Sequence, residues 1–460
     1  MSRRVFGWFL LGLGACALPD DLATSSGQGP SAESRAALTA PMADAPLPAP
    51  TEAVGLDVLL RGIDGGSVDL DIVRRQVLAA SARVDQARAS LLPNLDASLD
   101  VVAVAKRTGQ SFFKGDQATL RWSIGLSFPL DLSGELAERV RAAQARYRAA
   151  SAAEEATRRE QRAAVVLAYF NALEAEALLA VNASTIKSLE RELVDVRARR
   201  EAGTVRESDV LTVDVAVNEA RQRSFELETV RQEAVRALNL AAGFPIEHPT
   251  RLAAWNVTVA VAPDPVAELD LARTANPEVD VLVETLFALR SDRSAAERST
   301  LPSVSVGPRA TFDSTSQLDP NLNGNAFLSL SWNPDLNGRV EAAVKEIDAT
   351  TGETESRIRA LLRSLQERIL AAHRRAVEAK AAAEVAGRSL GSARENLRVI
   401  EEQLRAGTAT GREVLEAQVS VARTQATLGT SGYRIALAYF QMKFAAGEDP
   451  LATLERVTTR

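Results

Sequence analysis

Cysteine occurs once in this 460-residue chain, at position 16, so no intrachain disulfide is possible. Histidine occurs twice, at His248 and His373, and one chain therefore cannot assemble a Cys/His metal site or a Cys–His nucleophile pair. Methionine is confined to Met1, Met42 and Met442, which gives no sign of a soft-metal pathway. No phosphate loop of the GxxxxGKS or GxxxxGKT kind occurs, so nucleotide hydrolysis is not expected. Carboxylates are plentiful, yet none sits in a pattern that suggests acid/base catalysis. The chain is thus expected to be no enzyme and to carry no cofactor and no metal. A net charge of −6 gives no reason to expect nucleic acid as a partner. No uninterrupted run of 18 apolar residues is present, so no membrane-spanning helix is expected.

Proline is missing from two long spans, Pro129 to Pro245 and Pro334 to Pro450, each enclosing 115 residues. Helix can run through both without a forced break. Aromatics make up only 5% of the chain, and abundant Ala, Arg, Glu and Leu favour helix. The two spans are copies of each other. Gly203 and Gly407 lie 204 residues apart, as do Asp131 and Asp335, Gly134 and Gly338, and Gly243 and Gly447. Upstream the offset becomes 209, through Pro93 and Pro302, so a connection in the first copy is five residues longer. The chain is a duplicated unit, roughly 68–245 and 264–450.

The N-terminus has Arg3 and Arg4, then an apolar run from Val5 to Ala15, the layout of an export signal over 1–15. Leu13-Gly14-Ala15-Cys16 resembles the lipobox of bacterial lipoproteins, which implies that Cys16 is lipidated and becomes the first mature residue. Ala17 after it implies sorting to the outer membrane by the same resemblance. Residues 16–53, rich in proline, serine and alanine, read as an extended tether.

Within each proline-free span the spacing predicts a helical hairpin: 133–201 out and 207–242 back, then 338–405 and 411–446. Phe170, Leu173, Ala177 and Ala180 follow a 3-4-3 spacing, and Ile186, Leu189, Leu193 and Val196 repeat it, the pattern of coiled-coil packing with a change of register. Gly203 and Gly407 suit the left-handed position past a helix end, and Ser208 suits an N-cap of the returning helix. A helix of about 70 residues would span roughly 100 Å.

Ahead of each hairpin the period becomes two. Leu95, Ala97, Leu99 and Val101 alternate with polar residues, and so do Leu120, Trp122, Ile124, Leu126 and Phe128. In the second copy Val304, Val306, Ala310 and Phe312 do the same, followed by Ala326, Leu328, Leu330 and Trp332. Such alternation is a strand signature. It fits soluble hairpins resting on a core, and it equally fits tilted strands with one face toward lipid and one toward a lumen. Four strands cannot close a barrel, so the second reading requires strands shared between chains.

Two strands and a long helical hairpin, duplicated behind a lipobox, resemble the TolC-type outer-membrane efflux channels, in particular their lipoprotein branch. The resemblance is carried by ARASLLPNL before the first strand, by SFPLDLSGE and SWNPDLNGR at the strand-to-helix joins, and by REAGTVRESDVL and LRAGTATGREVL at the hairpin tips. It implies a mainly α fold with a membrane β-barrel: a homotrimer whose twelve strands cross the outer membrane and whose twelve helices continue as a periplasmic tube. It implies the domain order 1–15 signal, 16–53 tether, 54–245 first repeat, 246–275 irregular connector, 276–450 second repeat and 451–460 tail. The implied function is passive export from a proton- or ATP-driven inner-membrane pump through a periplasmic adaptor, the chain being held by lipid in the outer membrane. Gly203, Thr204, Gly407 and Thr408 would be the adaptor-docking tips. The family's acidic constriction maps onto Glu413 and Glu416, with Asp209 holding the place of Glu413 in the first copy; acids in a first helical turn are also favoured by the helix dipole. Small-molecule efflux, type I protein secretion and a non-conducting coiled-coil envelope lipoprotein remain distinct readings of the same residues.

Overall fold

The computed structural model describes residues 53–104, 117–255, 257, 264–315 and 321–458. The signal, Cys16 and nearly all of the tether lie outside the described residues. In chain order the elements are β1 (Ala53–Val54), α1 (Leu56–Gly66), α2 (Val68–Ala89), β2 (Asn94–Val104), β3 (Gln117–Leu130), α3 (Glu135–Glu201) and α4 (Glu207–Ala242). They continue with β4 (Arg251–Leu252), α5 (Pro265–Ala275), α6 (Pro277–Arg298), β5 (Ser303–Thr315), β6 (Asn321–Ser331), α7 (Arg339–Arg405), α8 (Gly411–Ala445) and α9 (Pro450–Thr458). The duplication is visible in the lengths: α3 and α7 each have 67 residues, α4 and α8 have 36 and 35, and α2 and α6 have 22 each. Among the described residues the glycines with positive φ are three pairs 204 apart, Gly134/Gly338, Gly203/Gly407 and Gly243/Gly447. The five-residue offset change falls between β2 and β3, since 94 to 117 is five longer than 303 to 321.

Two expectations are corrected here. The span 246–275 is not simply irregular: β4 pairs parallel with β1, and α5 follows. Asp264 accepts a hydrogen bond from the Val266 N–H with Pro265 in the first turn, a start signal that the sequence displays. Its 11 residues match the 11 of α1 at the 209 offset, so the second repeat begins earlier than the helical hairpin suggested. The tail is likewise helical as far as Thr458. Composition alone also understated α3, which contains a stretch long and apolar enough to cross a membrane. Val165, Val166, Tyr169, Phe170 and Leu173 of α3 are buried in the main core instead.

That core joins both ends of the duplication. Leu59, Leu60 and Ile63 of α1 and Leu238 of α4 pack on α3 together with Ala436 and Phe440 of α8 and Leu454 of α9. Phe170 meets Trp255 edge-on at 5.1 Å and Phe440 at 6.0 Å, and the Tyr169 hydroxyl donates to the Ala253 carbonyl at 2.8 Å. Arg162, almost wholly buried, pairs with Asp64 at 3.0 Å and Asp449 at 2.5 Å, tying α1 and the start of α9 to α3. The returning helices are about half as long as the outgoing ones, so the proximal half of α3 needs other cover. α2 and α6 supply it, with ion pairs Arg146–Asp292 and Arg148–Glu284 between α3 and α6. Toward the tip, Leu189, Leu193 and Val196 interlock with Val210, Val213 and Val217 of α4, as the second 3-4-3 stripe predicts. The first stripe holds for Phe170 and Leu173 and runs out at Ala180, which is exposed.

The four long strands form one antiparallel sheet in the order β2-β3-β5-β6. The register puts Leu99, Trp122 and Phe312 on one face, where the Trp122 and Phe312 rings stack at 5.6 Å, and puts Leu328 opposite Val306 on that same face. Ser98, Ser123 and Thr311 share the other face, with Ser98 and Ser123 hydroxyls 2.9 Å apart. Trp332 lies one residue beyond β6 and donates its indole N–H to the Thr300 carbonyl at 3.1 Å.

Candidate functional site

Each helical hairpin reverses through the same turn. Gly203 takes φ 75°, and the N–H groups of Gly203 and Thr204 donate to the Arg200 and Arg199 carbonyls, both at 2.9 Å. Gly407 takes φ 76°, with Gly407 and Thr408 donating to Leu404 at 3.1 Å and Gln403 at 2.9 Å. These crossed bonds close the carbonyls that a helix end leaves open. The threonine hydroxyls add a second bond to the same acceptors, Thr204 to Arg199 at 2.9 Å and Thr408 to Gln403 at 3.1 Å. The four predicted tip residues therefore build two exposed, self-bonded turns.

The returning helices start differently. α8 has a full reciprocal cap: Thr410 accepts from the Glu413 N–H, and the Glu413 carboxylate accepts from the Thr410 N–H at 2.6 Å and its hydroxyl at 3.0 Å. Those bonds, the backbone one first, hold the Glu413 carboxyl below the usual range, so it is ionised at neutral pH. In α4 the N-cap is Arg206 and not Ser208, which falls inside the first turn; Asp209 accepts from the Arg206 N–H at 3.2 Å. Arginine has no acceptor to return the bond, so half of the box is missing. Glu416 pairs with Arg412 at 3.1 Å on the exposed side of α8. The helix starts lie side by side, since a Cβ on Gly411 would sit 3.8 Å from the Asp209 Cβ. Asp209 and Glu413 are thus gathered at one end of the molecule in equivalent capping positions, with Glu416 one turn further along α8.

Behind these starts a cavity of about 240 Å³ separates the hairpins, lined by Glu192, Asp195 and Arg199 of α3, Glu401 and Arg405 of α7, and Gln418 of α8. Burial pushes the Glu192 carboxyl up, with Arg199 opposing the shift. Nothing in the sequence pattern singled out Glu192, because helix spacing places it among ordinary surface acids.

At the opposite end, an aspartate that the repeat had marked for its spacing turns out to start each long helix. Asp131 accepts from the Leu136 and Ala137 N–H groups at 3.2 and 2.8 Å. Asp335 accepts from Arg339, Val340 and Glu341 at 2.8, 2.9 and 3.1 Å. Gly134 and Gly338, at φ 71° and 67°, let the chain double back to present those carboxylates. The signal was legible as an acid four residues before an uninterrupted helix. In the sheet, Gly307 has Leu126 so close that a side chain there would overlap its carbonyl oxygen.

Comparison with known proteins joins these two ends to a family. Residues 65–244 match the outer membrane efflux protein family. Two curated relatives from Pseudomonas putida, the probable efflux pump outer membrane protein SepC and the toluene efflux pump outer membrane protein TtgF, are each 28% identical over 232 residues. Those matches cover 48% of this chain and 46% of each relative, so the chain spans about half the length of the curated relatives it matches. Among solved structures, the CmeC outer membrane channel of Campylobacter jejuni superposes with a TM-score of 0.74 at 16% identity, covering 88% of either chain. The outer membrane protein VceC of Vibrio cholerae gives 0.74 at 16% identity, covering 85% of this chain and 96% of its own, and CusC gives 0.76 at 17%, covering 85% and 92%. At such identities the likeness speaks for the fold, and it extends over both repeats where the family match covers the first. Over residues 65–244 the chain is similar to the outer membrane efflux protein family, and over both repeats it shares the fold of solved outer-membrane channels.

Proposed function

We propose that this protein is the outer-membrane channel of a tripartite efflux system, a passive conduit that receives small molecules from an inner-membrane pump through a periplasmic adaptor. The observation that carries the reading is the open four-stranded sheet with one apolar and one polar face, joined to two long helical hairpins. Among the described residues its outer strands, β2 and β6, are free edges running in opposite directions, and exposed Leu95, Leu99, Leu328 and Leu330 cannot stay in water while unpaired edges cannot stay in lipid. Pairing β6 of one copy with β2 of the next removes both problems, and three copies close twelve strands. The six hairpins would then form the periplasmic tube.

In that assembly the exposed turns at Gly203–Thr204 and Gly407–Thr408 would meet the adaptor, and Asp209, Glu413 and Glu416 would crowd around the axis. The ionised, doubly bonded Glu413 supports a permanent negative charge there. Lipidation at Cys16 would add an anchor to the barrel. The names of the curated relatives favour efflux over protein secretion for this chain.

The test is single-channel conductance of the purified mature protein in planar bilayers, with mass determination of the same detergent-solubilised sample. Trimers with a defined conductance are expected. Folded monomers that never conduct would overturn the reading and leave an envelope lipoprotein.

A further inference from the structure

On the polar face of the sheet one cation stands apart. Arg309 of β5 lies in register with Gly125 of β3 on one side and Asn325 of β6 on the other. Its side chain runs across Gly125, where an added Cβ would come within 3.3 Å of the Arg309 Nε. Its guanidinium carbon sits 4.8 Å from the centre of the Phe327 ring, within the range of a cation–π contact. Phe327 is the exception to the alternation of β6, an aromatic among Asn323, Asn325 and Ser329 on the polar face. The ring and the missing side chain at position 125 together give the guanidinium a seat that needs no carboxylate.

The other charges on this face are differently placed. Asp96, level with Gly125, accepts from the Asn94 amide at 2.8 Å. Arg121 is in register with Asp100 and with Asp313. Among the described residues, Arg309 is in no ion pair, and its nearest cross-strand neighbours on that face are glycine and asparagine.

We propose that Arg309, seated on Phe327 over Gly125, is a selectivity-determining residue that draws anionic solutes through the strand-lined part of the conduit. This rests on the channel reading above, in which the polar face lines the lumen. Three copies would place three such guanidinium groups around one aqueous path, where low-dielectric walls focus their field. Phe327 is the positioning residue: it keeps the charge in the path without neutralising it. The pull on anions would counter the acidic tips at the far end of the tube.

Full-length mature protein is reconstituted in planar bilayers under a potassium chloride gradient, and the reversal potential gives the cation-to-anion permeability ratio. Arg309→Gln is expected to raise that ratio at least about twofold, Phe327→Leu to raise it less, and Arg309→Lys to leave it near the parent value. Arg309→Cys, reacted after assembly with a positively or a negatively charged thiol reagent, varies the charge on channels already folded. The positive adduct should restore the parent ratio and the negative one push it further toward cations. A parent channel that conducts, with the same ratio in Arg309→Gln and in both adducts, overturns the proposal and leaves the channel intact. A parent that never conducts removes the channel and the selectivity role together.

Discussion

Where the first repeat leaves its hairpin, the fully buried Asn239 donates to the Ile246 and His248 carbonyls at 3.1 and 2.8 Å and accepts from the Thr250 hydroxyl at 2.5 Å. The position 204 residues later is Lys443, which donates to Glu268 at 2.6 Å and Glu448 at 3.1 Å. Both side chains fasten the segment that follows a left-handed glycine to the helix it has just left, and Lys443 also ties in α5 through Glu268. One does it with neutral groups and the other with buried charge. The tips repeat the contrast, with a half-formed cap at Arg206 and a complete one at Thr410. Backbone geometry has been held in both copies while the side-chain chemistry has drifted, since positive φ admits few residues and a buried hydrogen bond admits many.

The largest effect should come where the copies are least interchangeable. Gly307→Val forces a side chain into the Leu126 carbonyl and should cost at least about 3 kcal/mol, read as loss of folded protein after detergent extraction. The equivalent first-copy position is Ser98, on an outer strand, and Ser98→Gly should cost well under about 1 kcal/mol through one exposed hydroxyl contact. Equal losses in both would show that the β3–β5 junction is not the tight one.

Next comes the buried charge. Lys443→Met strands Glu268 and should destabilise by about 3 kcal/mol, measured as a shift in the denaturation midpoint, and adding Glu268→Gln should recover part of it. Burial alone would lower the Lys443 pKa, but bonding to Glu268 and Glu448 outweighs burial and raises it. A raised lysine contributes its full stability below the ordinary value of about 10.4 and loses it as pH climbs through the folded value. Asn239→Leu should be destabilising to a similar degree with no such alkaline dependence, since nothing in its network has that charge. Matching pH profiles for the two variants would refute the distinction.

The tips test the shared backbone. Gly203→Val and Gly407→Val should each cost about 1–2 kcal/mol, because a β-branched residue resists φ near +75°. Crosslinking to an adaptor should weaken in both, and unchanged crosslinking would remove the tips from the docking surface. Thr410→Val should cost about 1 kcal/mol, and Arg206→Ala far less, in equilibrium unfolding.

The smallest effect concerns Glu192, whose second-copy counterpart is Asn396. Its carboxyl is pushed up by burial, so the folded state prefers the protonated form. Its ionisation penalty is absent below the unfolded pKa, grows as pH rises from the unfolded toward the folded value, and is fully present above the folded value. Glu192→Gln should therefore stabilise the protein slightly at neutral pH and do nothing near pH 3. A gain of equal size at both pH values would exclude titration as its cause.

The hairpins were legible because a long helix needs only continuous spacing and no proline, and the observed ends fall within two residues of those expected. The strands were legible because alternation shows in composition. The helices α1, α2, α5 and α6 were passed over although Ser67, Asp264 and Asn276 mark three of their starts, the last two followed by proline. The weak striping of α6 reflects its ion pairs with the charged surfaces of α3 and α7. Of the candidate site, the tip glycines were recoverable from the repeat and the capping of Asp209 and Glu413 from their distance to the helix start. Glu192 and Arg309 were not, since burial and ring contacts arise between segments more than 100 residues apart or on neighbouring strands.

The sequence by itself determined the duplication, the two hairpins, the four strands and the turn that each glycine pair makes, because these follow from local dihedral limits and from periods of a few residues. Only the tertiary structure decided which acids cap a helix and which face a cavity, and that Arg309, among the described residues, rests on a ring and not in an ion pair. Those outcomes depend on the register between strands and on which helix is brought against which, and no local rule fixes a side chain's distant neighbours.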